Sequence, residues 1–543
     1  MEKRILSGPK PTQPLGNGSI GQHFFNELKK FENLSACMTD LELGRSISYR
    51  ELLKTTCRLA TCLTRNGFGV GTMLSVFSEN SIYYMQPVLA AWYVGITVAP
   101  VNPNYTDREI IHVFMISKPQ IVFCSKRSLP KIVKLKQKLP FIKKIITLDG
   151  CTDTEHSETL NNFIERFSNE NCSLEMYALS ELDRNKHVSL VLCSSGTTGF
   201  PKGVMLTEKN MMIRYNQFVD PQCMFGRDLR PGDAVINYLP FFHGYGFSIL
   251  LGYLIMGLHV FIMESYKEDL LLKFLEKFQV KSLCVVPSIL ISLAKKETLN
   301  DRSLSKLNEV VYGAAPTSKQ IVVQAKQRFQ IQEMRSGYGL TEGTIVSIST
   351  PLGCVKYSSV GKLLPFVDAK IVDIVTQEPL GPNRTGELCI KGDTVMKGYM
   401  GNAKATEDTI DRDGWLHTGD MAYYDTEEYF YIVDRLKELI KYKGFQVAPA
   451  ELEALLLEYP GIKEVAVVGK PDLLAGELPT AFIVTDVGAN ISEKGVQDYV
   501  KANASREKQL RGGIFFVDYI PKNATGKISR KDLRKMLATT SKL

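Results

Sequence analysis

Ser194-Ser195-Gly196-Thr197-Thr198-Gly199-Phe200-Pro201-Lys202-Gly203 directly follows an apolar run at 188–193 and combines glycines, hydroxyl side chains and a lysine. Glycines let successive backbone N–H groups turn toward one anion, the hydroxyls add donors, and Lys202 adds a positive charge. The segment therefore predicts a phosphate-binding loop after a buried strand. It differs from the P-loop, whose Gly-Lys-Ser/Thr ending opens a helix, because Pro201 separates the last loop glycine from Lys202.

The length and composition of the chain indicate a multidomain globular protein. A chain of 543 residues exceeds what one hydrophobic core accommodates, so we expect two or more domains. Hydrophobic residues make up 44% and charged residues 23%, which excludes disordered and fibrous classes. The net charge of +8 is spread along the chain, so we expect no nucleic-acid partner. We expect a monomer.

The cysteines and the two ends of the chain bear on the cellular compartment. The 11 cysteines are odd in number and form no C-x-x-C pair, so we expect reduced thiols rather than disulfides or a zinc site. The N-terminus lacks an apolar segment with a cleavage site, which argues against secretion. Ser541-Lys542-Leu543 matches the signal read by the peroxisomal import receptor at the extreme C-terminus. We therefore expect a peroxisomal protein.

One uncharged segment, 245–263, has about the length that crosses a bilayer. It contains His259 and three glycines, has no basic flank and begins inside a polar motif. We therefore expect a buried helix and strand there, and no transmembrane span.

The order of strand-like and helix-like patterns predicts the fold class. Short β-rich runs, such as Met73–Phe77 and Ile121–Cys124, alternate with helical patterns up to about residue 370, which is typical of parallel sheets flanked by helices. Strand patterns with short turns follow, such as Gly386–Lys391, and the last hundred or so residues mix helices with strands such as Val465–Val468. The sequence predicts an α/β plus α+β protein: a large N-terminal domain (1–434) of parallel-sheet subdomains and a β-rich subdomain, a hinge (435–438), and a small, mobile C-terminal domain (439–543).

Two polar turns carry candidate ligand-binding acids. Tyr338-Gly339-Leu340-Thr341-Glu342 places a hydroxyl and a carboxylate beside a flexible backbone, and a carboxylate next to phosphates suits Mg²⁺. Trp415-Leu416-His417-Thr418-Gly419-Asp420 ends in an acid suited to ribose hydroxyls. Either segment taken alone also fits an ordinary turn.

Two further turns carry lysines, in Lys441-Tyr442-Lys443-Gly444 and in Asn523-Ala524-Thr525-Gly526-Lys527. The pattern after Ser529 predicts a capped helix, which leaves Lys527 on the loop before it. A lone loop lysine is usually a surface charge, so its position in the loop does not by itself assign a function to Lys527.

These separated motifs, together with Asp434-Arg435-Leu436-Lys437, occur in the order and rough spacing of the adenylate-forming superfamily. From about residue 8 to its C-terminus the chain resembles acyl-CoA synthetases, plant coumarate-CoA ligases and beetle luciferases. The resemblance implies that a carboxylate attacks the α-phosphate of ATP in a site between two domains, and that the small domain then rotates about the hinge.

The resemblance also assigns roles to residues. It implies that Lys527 stabilises developing charge, Glu342 binds Mg²⁺, Thr341 approaches the α-phosphate, and Asp420 with Arg435 holds the ribose. After rotation, Lys441, Lys443 and Gly444 would serve the attack by coenzyme A. The remaining implied ATP or AMP contacts are Ser194, Ser195, Gly196, Thr197, Thr198, Gly199, Lys202, Gly313, Ala314, Ala315, Pro316, Gly337, Tyr338 and Gly339. The implied pocket for the carboxylic acid substrate comprises Arg214, Phe242, His243, Gly244, Tyr245, Ile345 and Val346.

The sequence leaves two enzymatic readings open. Luciferases carry small or hydroxyl residues at the positions of Ile345 and Val346, and some carry a second histidine at Phe242. We therefore expect a peroxisomal synthetase that makes medium- or long-chain fatty acyl-CoA, with weak light from added luciferin as a side reaction. The alternative is a true luciferase that oxidises luciferyl-AMP with O₂. A third alternative, a non-catalytic carrier with the same fold, is poorly supported, because such a protein would not need the full set of motifs.

Overall fold

The computed structural model describes most of the chain. The described residues are 4–150, 152–168, 182–194, 200–223, 226, 228–295, 306–315, 317, 319–443, 445–523 and 526–540. Within them, five sheets form two units that meet at the candidate site, a large N-terminal unit and a small C-terminal one.

The largest sheet of the N-terminal unit has eight strands and carries the start of the phosphate-loop segment. Its central strands run parallel, whereas its two outermost strands on one side pair antiparallel. Strands such as Ile121–Cys124 are buried on both faces, because helices cover the sheet. In spatial order the strands are Gly398–Tyr399, Lys202–Thr207, Val188–Ser194, Thr97–Pro100, Met73–Phe77, Ile121–Cys124, Lys144–Thr147 and Glu158–Thr159.

Two smaller sheets complete the α/β part, and each combines parallel pairing on one side with antiparallel pairing on the other. One consists of Ala234–Asn237, His259–Ile262, Met38–Asp40 and Ser46–Ile47. The other consists of Ser282–Val285, Glu309–Gly313, Glu333–Tyr338, Ile348–Ser349 and Lys362–Leu363.

The helices of this unit pack their apolar faces against the sheets. Several begin at capping boxes, such as the helix Glu208–Val219, where Thr207 and Asn210 cap each other's backbone N–H groups. The other helices are Ile20–Lys30, Tyr49–Arg65, Met85–Tyr93, Asp107–Ser117, Leu129–Leu135, Leu160–Phe167, Gly244–Ile255, Glu268–Lys277, Pro287–Lys295, Lys319–Phe329 and Ala403–Glu407, with 3₁₀ turns at Lys136–Lys138 and Thr341–Gly343.

An antiparallel sheet with a separate core forms the predicted β-rich subdomain. Its strands, in spatial order, are Leu6–Ser7, Asp368–Val372, Gly386–Lys391, Leu416–Tyr424 and Phe430–Arg435. Leu416–Tyr424 and Phe430–Arg435 pair so that Asp420 lies opposite Arg435. This pairing brings two of the predicted site residues together.

The C-terminal unit has its own hydrophobic core, as predicted for an α+β domain. Its sheet consists of Phe445–Val447, Ile440–Tyr442, Gly476–Thr485 and Ile462–Asp472, with Ile514–Phe516 parallel to Gly476–Thr485. Its helices are Pro449–Leu456, Glu493–Asn503 and Arg530–Thr540, with a 3₁₀ turn at Arg506–Lys508. The role of 435–438 as a hinge stays a prediction.

The uncharged segment 245–263 forms the buried helix Gly244–Ile255 and the strand His259–Ile262, as expected. No helix among the described residues is long and apolar enough to cross a membrane.

Candidate active site

A cavity of about 1710 Å³ lies between the two units and collects most of the predicted site residues. Both units line it, the C-terminal one through Gly526 and Lys527. The two units are in close contact here, because a Cβ added to Gly526 would lie 3.5 Å from Val286 Cγ2 and 3.9 Å from Ser288 Oγ. The loop before the last helix thus reaches into the site of the large unit.

The phosphate-loop segment reaches the cavity at both of its described ends, Ser194 and Lys202. Ser194 ends one strand, and Lys202 begins the antiparallel neighbour with which Ser194 is paired. The Lys202 ammonium lies 4.6 Å from the centre of the Tyr399 ring, which supports it by a cation–π contact. The predicted residues Ser195, Gly196, Thr197, Thr198 and Gly199 lie outside the described residues.

Glu342 is held on the cavity wall by Tyr399. The Tyr399 hydroxyl donates to Glu342 Oε1 at 2.8 Å, and the second carboxylate oxygen has no hydrogen-bond partner in the described part of the chain. One oriented carboxylate beside a phosphate site fits Mg²⁺, which takes one or two protein carboxylates and leaves its other positions to phosphates and water. Glu342 therefore fits the predicted role. Thr341 precedes it and also lines the cavity.

The turn around Glu342 depends on a glycine. A Cβ on Gly339 would lie 1.9 Å from the Ile345 carbonyl oxygen, so a larger residue does not fit. Two residues of the turn have a left-handed backbone, Thr344 with φ 57° and Ile345 with φ 79°. Such a φ is unusual for a β-branched residue, and backbone strain of this kind concentrates at functional sites.

Asp420 is buried and held by two partners. It accepts a hydrogen bond from the Tyr338 hydroxyl at 2.7 Å, and Arg435 Nε lies 3.0 Å from its other oxygen. Burial raises the pKa of Asp420, although the nearby Arg435 and Tyr338 oppose that rise. An oriented, desolvated carboxylate at a cavity wall is suited to accept hydrogen bonds from ligand hydroxyls.

A second ion pair fixes the turn that carries Asp420. His417 Nδ1 lies 2.9 Å from Glu387 Oε2, and the Gly419 N–H donates to Glu387 Oε1 at 3.1 Å. Hydrogen bonds with Cys389 and Glu387 raise the pKa of His417 to about 10, so its imidazole is positively charged at neutral pH. Glu387 thus holds the loop backbone just before Asp420.

Lys527 lies in the electrostatic field of three charged groups from the N-terminal unit. Desolvation, with repulsion from Arg435, lowers the pKa of Lys527 to about 8, while Asp420 and Glu342 act in the opposite direction. The loop lysine is therefore half-buried in the cavity rather than a free surface charge. A cation at this place attracts an anionic ligand from water into the cavity.

His243 caps the helix Gly244–Ile255 and faces the same cavity. Its Nδ1 accepts from the Tyr245 N–H at 3.3 Å, so its proton resides on Nε2. Desolvation, with a smaller repulsion from Lys527, lowers the pKa of His243 to about 3, and the imidazole is therefore neutral. A neutral histidine donates a hydrogen bond here without competing with Lys527 for an anion.

Arg214 is a buried cation on the wall of the cavity. Arg214 is only 6% exposed. Its guanidinium donates hydrogen bonds to Ser248 Oγ at 2.9 Å and to Gln217 Oε1 at 3.1 Å. Its guanidinium also stacks 4.1 Å over the Phe218 ring. Desolvation lowers the pKa of Arg214 to about 10.

The structure brings most of the other predicted residues to the cavity and separates a few from it. Phe242 does not line the cavity, and its place in the substrate pocket stays a prediction. The His243 N–H donates to the Pro240 carbonyl at 3.1 Å, which closes a tight turn around residues 241 and 242. Lys441 and Lys443 also lie away from the cavity, and Pro316 and Gly444 are outside the described residues. The remaining lining residues that were predicted are Gly313, Ala314, Ala315, Gly337, Tyr338, Gly339, Gly244, Tyr245, Ile345 and Val346.

Sequence reasoning missed Tyr399 and Glu387, which orient Glu342 and the Asp420 loop. Tyr399 reaches the site because its short strand pairs with Lys202–Thr207, nearly two hundred residues earlier in the chain. No local pattern in the sequence signals such a pairing. Glu387 lies in a strand that the sequence did predict, but the strand pattern gives no sign that its carboxylate contacts the turn before Asp420.

The comparisons with known proteins agree with this geometry. The AMP-binding enzyme family model matches residues 24–400, and the AMP-binding enzyme C-terminal domain model matches 451–527. A luciferin 4-monooxygenase of Photuris pensylvanica is 43% identical over 98% of each chain. The peroxisomal OPC-8:0-CoA ligase 1 of Arabidopsis thaliana is 35% identical, over 93% of this chain and 91% of the ligase.

Among solved structures, ATP-bound MatB from Rhodopseudomonas palustris superposes with a TM-score of 0.83. It is 26% identical and covers 94% of this chain and 98% of its own. The matches extend over nearly the whole chain, and the family model spans most of it. The chain therefore belongs to the AMP-binding enzymes, the adenylate-forming superfamily.

Proposed function

We propose that this adenylate-forming enzyme activates a medium- or long-chain fatty acid with ATP and transfers the acyl group to coenzyme A. The observation that carries the proposal is the meeting of Lys527, Arg435, Asp420 and Glu342 in one cavity with the end of the phosphate-loop segment. The two cationic side chains would neutralise the two anionic reactants, and the two carboxylates would bind the ribose and a metal ion.

In the first half-reaction, a carboxylate oxygen of the acid attacks the α-phosphorus of ATP. The bond between the α-phosphorus and its bridging oxygen breaks, and pyrophosphate leaves. Lys527 and Lys202 stabilise the negative charge on the phosphates, Thr341 faces the α-phosphate, and Asp420 with Arg435 holds the ribose. Glu342 would hold Mg²⁺, which would supply charge neutralisation at the phosphates.

The adenine side and the acyl side would be served by different walls of the cavity. Gly313, Ala314 and Ala315 line it next to Gly337 and Gly339, where small residues leave room for a flat base. His243 donates from Nε2 toward the carboxylate or the adenylate. The phosphate contacts of residues 195–199 and the base contact of Pro316 belong to the same proposal.

In the second half-reaction, the sulfur of coenzyme A attacks the acyl carbon and AMP leaves. Lys441, Lys443 and Gly444 would approach the cavity after rotation of the C-terminal unit about 435–438, while Lys527 withdraws. The hairpin with Lys441 now lies outside the cavity, which is the arrangement expected for the first half-reaction.

The apolar character of one cavity wall and its close packing against Gly244 favour a fatty acid over luciferin. Ile345 and Val346 are apolar and line the cavity next to Gly244, and a Cβ on Gly244 would lie 3.1 Å from Ile345 Cγ1. This narrow apolar wall suits an alkyl chain.

The alternative function, a luciferase, is favoured by the 43% identity to a luciferin 4-monooxygenase. In a luciferase, oxidation of the adenylate with O₂ would replace the second half-reaction.

Delivery to the peroxisome is part of the proposal. It is supported by Ser541-Lys542-Leu543 and by a relative whose name places it in peroxisomes.

The experiment gives the purified protein ATP, Mg²⁺ and coenzyme A with a panel of fatty acids or with luciferin. Acyl-CoA is followed by mass spectrometry and photons are counted in parallel. Thioester formation with little or no light supports the ligase. Strong light with poor thioester formation would establish the luciferase instead.

A further inference from the structure

Two neighbouring turns of the C-terminal unit lie at the same end of its sheet, where they connect adjacent antiparallel strands. One joins Ile440–Tyr442 to Phe445–Val447, and the other joins Ile462–Asp472 to Gly476–Thr485. The Lys443 N–H donates to the Ala475 carbonyl at 2.8 Å, so the turns lie side by side. We call Lys443 and Phe445 together with 472–476 the paired turns. They do not line the cavity.

The paired turns expose three large apolar side chains. Leu473 and Leu474 are 104% and 93% exposed, and Phe445 is 57% exposed. The Leu473 turn is not frayed, because Asp472 Oδ1 accepts the N–H groups of Leu474 at 3.0 Å and Ala475 at 2.8 Å. The fold therefore holds these apolar side chains out in water, where isolated apolar residues are common but adjacent ones at one tip are not.

Basic side chains surround the exposed apolar tips. Lys441 and Lys443 are exposed, Lys470 lies on the strand leading to the turn, and none of the three has an ion-pair partner among the described residues. The nearby carboxylates are engaged with backbone: Asp472 as described, and Glu477, which accepts the Lys441 N–H at 2.9 Å. The surface thus combines apolar tips with unpaired cations.

We propose that the paired turns dock this enzyme on a lipid surface that carries anionic headgroups. In the arrangement described here, in which the hairpin lies outside the cavity, Leu473, Leu474 and Phe445 enter the interface and the nearby lysines contact the headgroups. A lipid surface fits better than a protein partner, because the apolar groups stand on protruding turns rather than on a flat or concave face, and a stable protein interface needs a larger continuous area.

The test measures co-sedimentation of the full-length protein with vesicles. One set is phosphatidylcholine alone, and the other contains about one third phosphatidylserine. The variant is Leu473→Ser/Leu474→Ser, which removes apolar surface without adding charge. The matched control is Val487→Ser, since Val487 is 105% exposed in the same unit but follows the opposite end of the strand Gly476–Thr485.

We expect the wild type and the control to bind the anionic vesicles in a salt-sensitive manner, and the double variant to lose roughly tenfold in binding. Failure of the wild type to bind, or equal binding by the double variant, would overturn the proposal. So would unchanged vesicle binding with a loss of coenzyme A transfer, since the turns would then serve the second half-reaction. The readout is binding, and it stands apart from the identity of the acid substrate.

Discussion

Lys527 differs from an ordinary surface lysine because its ammonium is desolvated next to Arg435. Its pKa is about 8, and it is charged below that value and neutral above it. The charged form is the one that attracts ATP. The kcat/KM for ATP in pyrophosphate release is therefore expected to fall as the pH rises through about 8, a profile that reports on the free enzyme.

Replacing Lys527 with arginine tests the origin of this pH dependence. Because a guanidinium stays charged, Lys527→Arg should shift the falling limb to above about pH 10, even if the rate at neutral pH is lower. His243 adds no limb near neutral pH, since its pKa is about 3. An unchanged limb in Lys527→Arg would assign the titration to a different group.

We expect Tyr399 to act on the proposed Mg²⁺ site through its hydrogen bond to Glu342. Tyr399→Phe keeps the ring that supports Lys202 but removes the hydrogen bond to Glu342 Oε1. Loss of about 1 kcal/mol of orientation should raise the Mg²⁺ concentration for half-maximal adenylation by roughly fivefold. A Mg²⁺ titration of the variant measures this, with Tyr519→Phe, an exposed tyrosine, as the control. Equal Mg²⁺ dependence in Tyr399→Phe and wild type would refute the role.

At the scale of elements, the turn after strand Glu333–Tyr338 offers a matched pair of glycines. A Cβ on Gly339 would collide with the Ile345 carbonyl at 1.9 Å, whereas a Cβ on Gly337 would meet nothing closer than 3.9 Å. Gly339→Ala should lower the free energy of unfolding by about 1–3 kcal/mol more than Gly337→Ala does. Denaturant unfolding of both variants measures the difference, and equal losses would argue against the steric account.

The elements themselves could largely be predicted from sequence. Met73–Phe77, Ile121–Cys124 and Gly386–Lys391 have the bounds that their patterns predict, because short buried strands carry a strong local signal. The strand predicted at 465–468 is longer, at Ile462–Asp472, since its ends are more polar than its centre and are held by pairing with Gly476–Thr485. Tertiary contacts extend strands beyond their apolar cores.

The candidate site could be predicted only where residues are adjacent in the chain. Glu342, Asp420 and Lys527 each belong to a local motif, and all three line the cavity. The contact of Tyr399 with Glu342 depends on strand pairing across the large sheet. The tight turn closed by the His243 N–H and the Pro240 carbonyl is likewise not specified by the motif itself. Side-chain direction and long-range pairing are set by the whole fold.

At the scale of the whole molecule, the proposed function depends on which loop of the C-terminal unit occupies the cavity. Gly526 and Lys527 occupy it here and contact the wall near Val286 and Ser288. Lys441 lies outside, on the hairpin at another edge of the same unit. Lys527 lines the cavity and Lys441 does not, so under the proposed function the two half-reactions would require different arrangements of the units.

The most direct measurement compares Lys527→Ala and Lys441→Ala in each half-reaction separately. Adenylation is followed as pyrophosphate release from ATP and a fatty acid, and transfer as acyl-CoA formation from preformed acyl-AMP. We expect Lys527→Ala to lose adenylation by about a hundredfold or more while it retains transfer, and Lys441→Ala to show the reverse. Equal loss of both half-reactions in either variant would contradict the proposal that the two lysines alternate in one cavity.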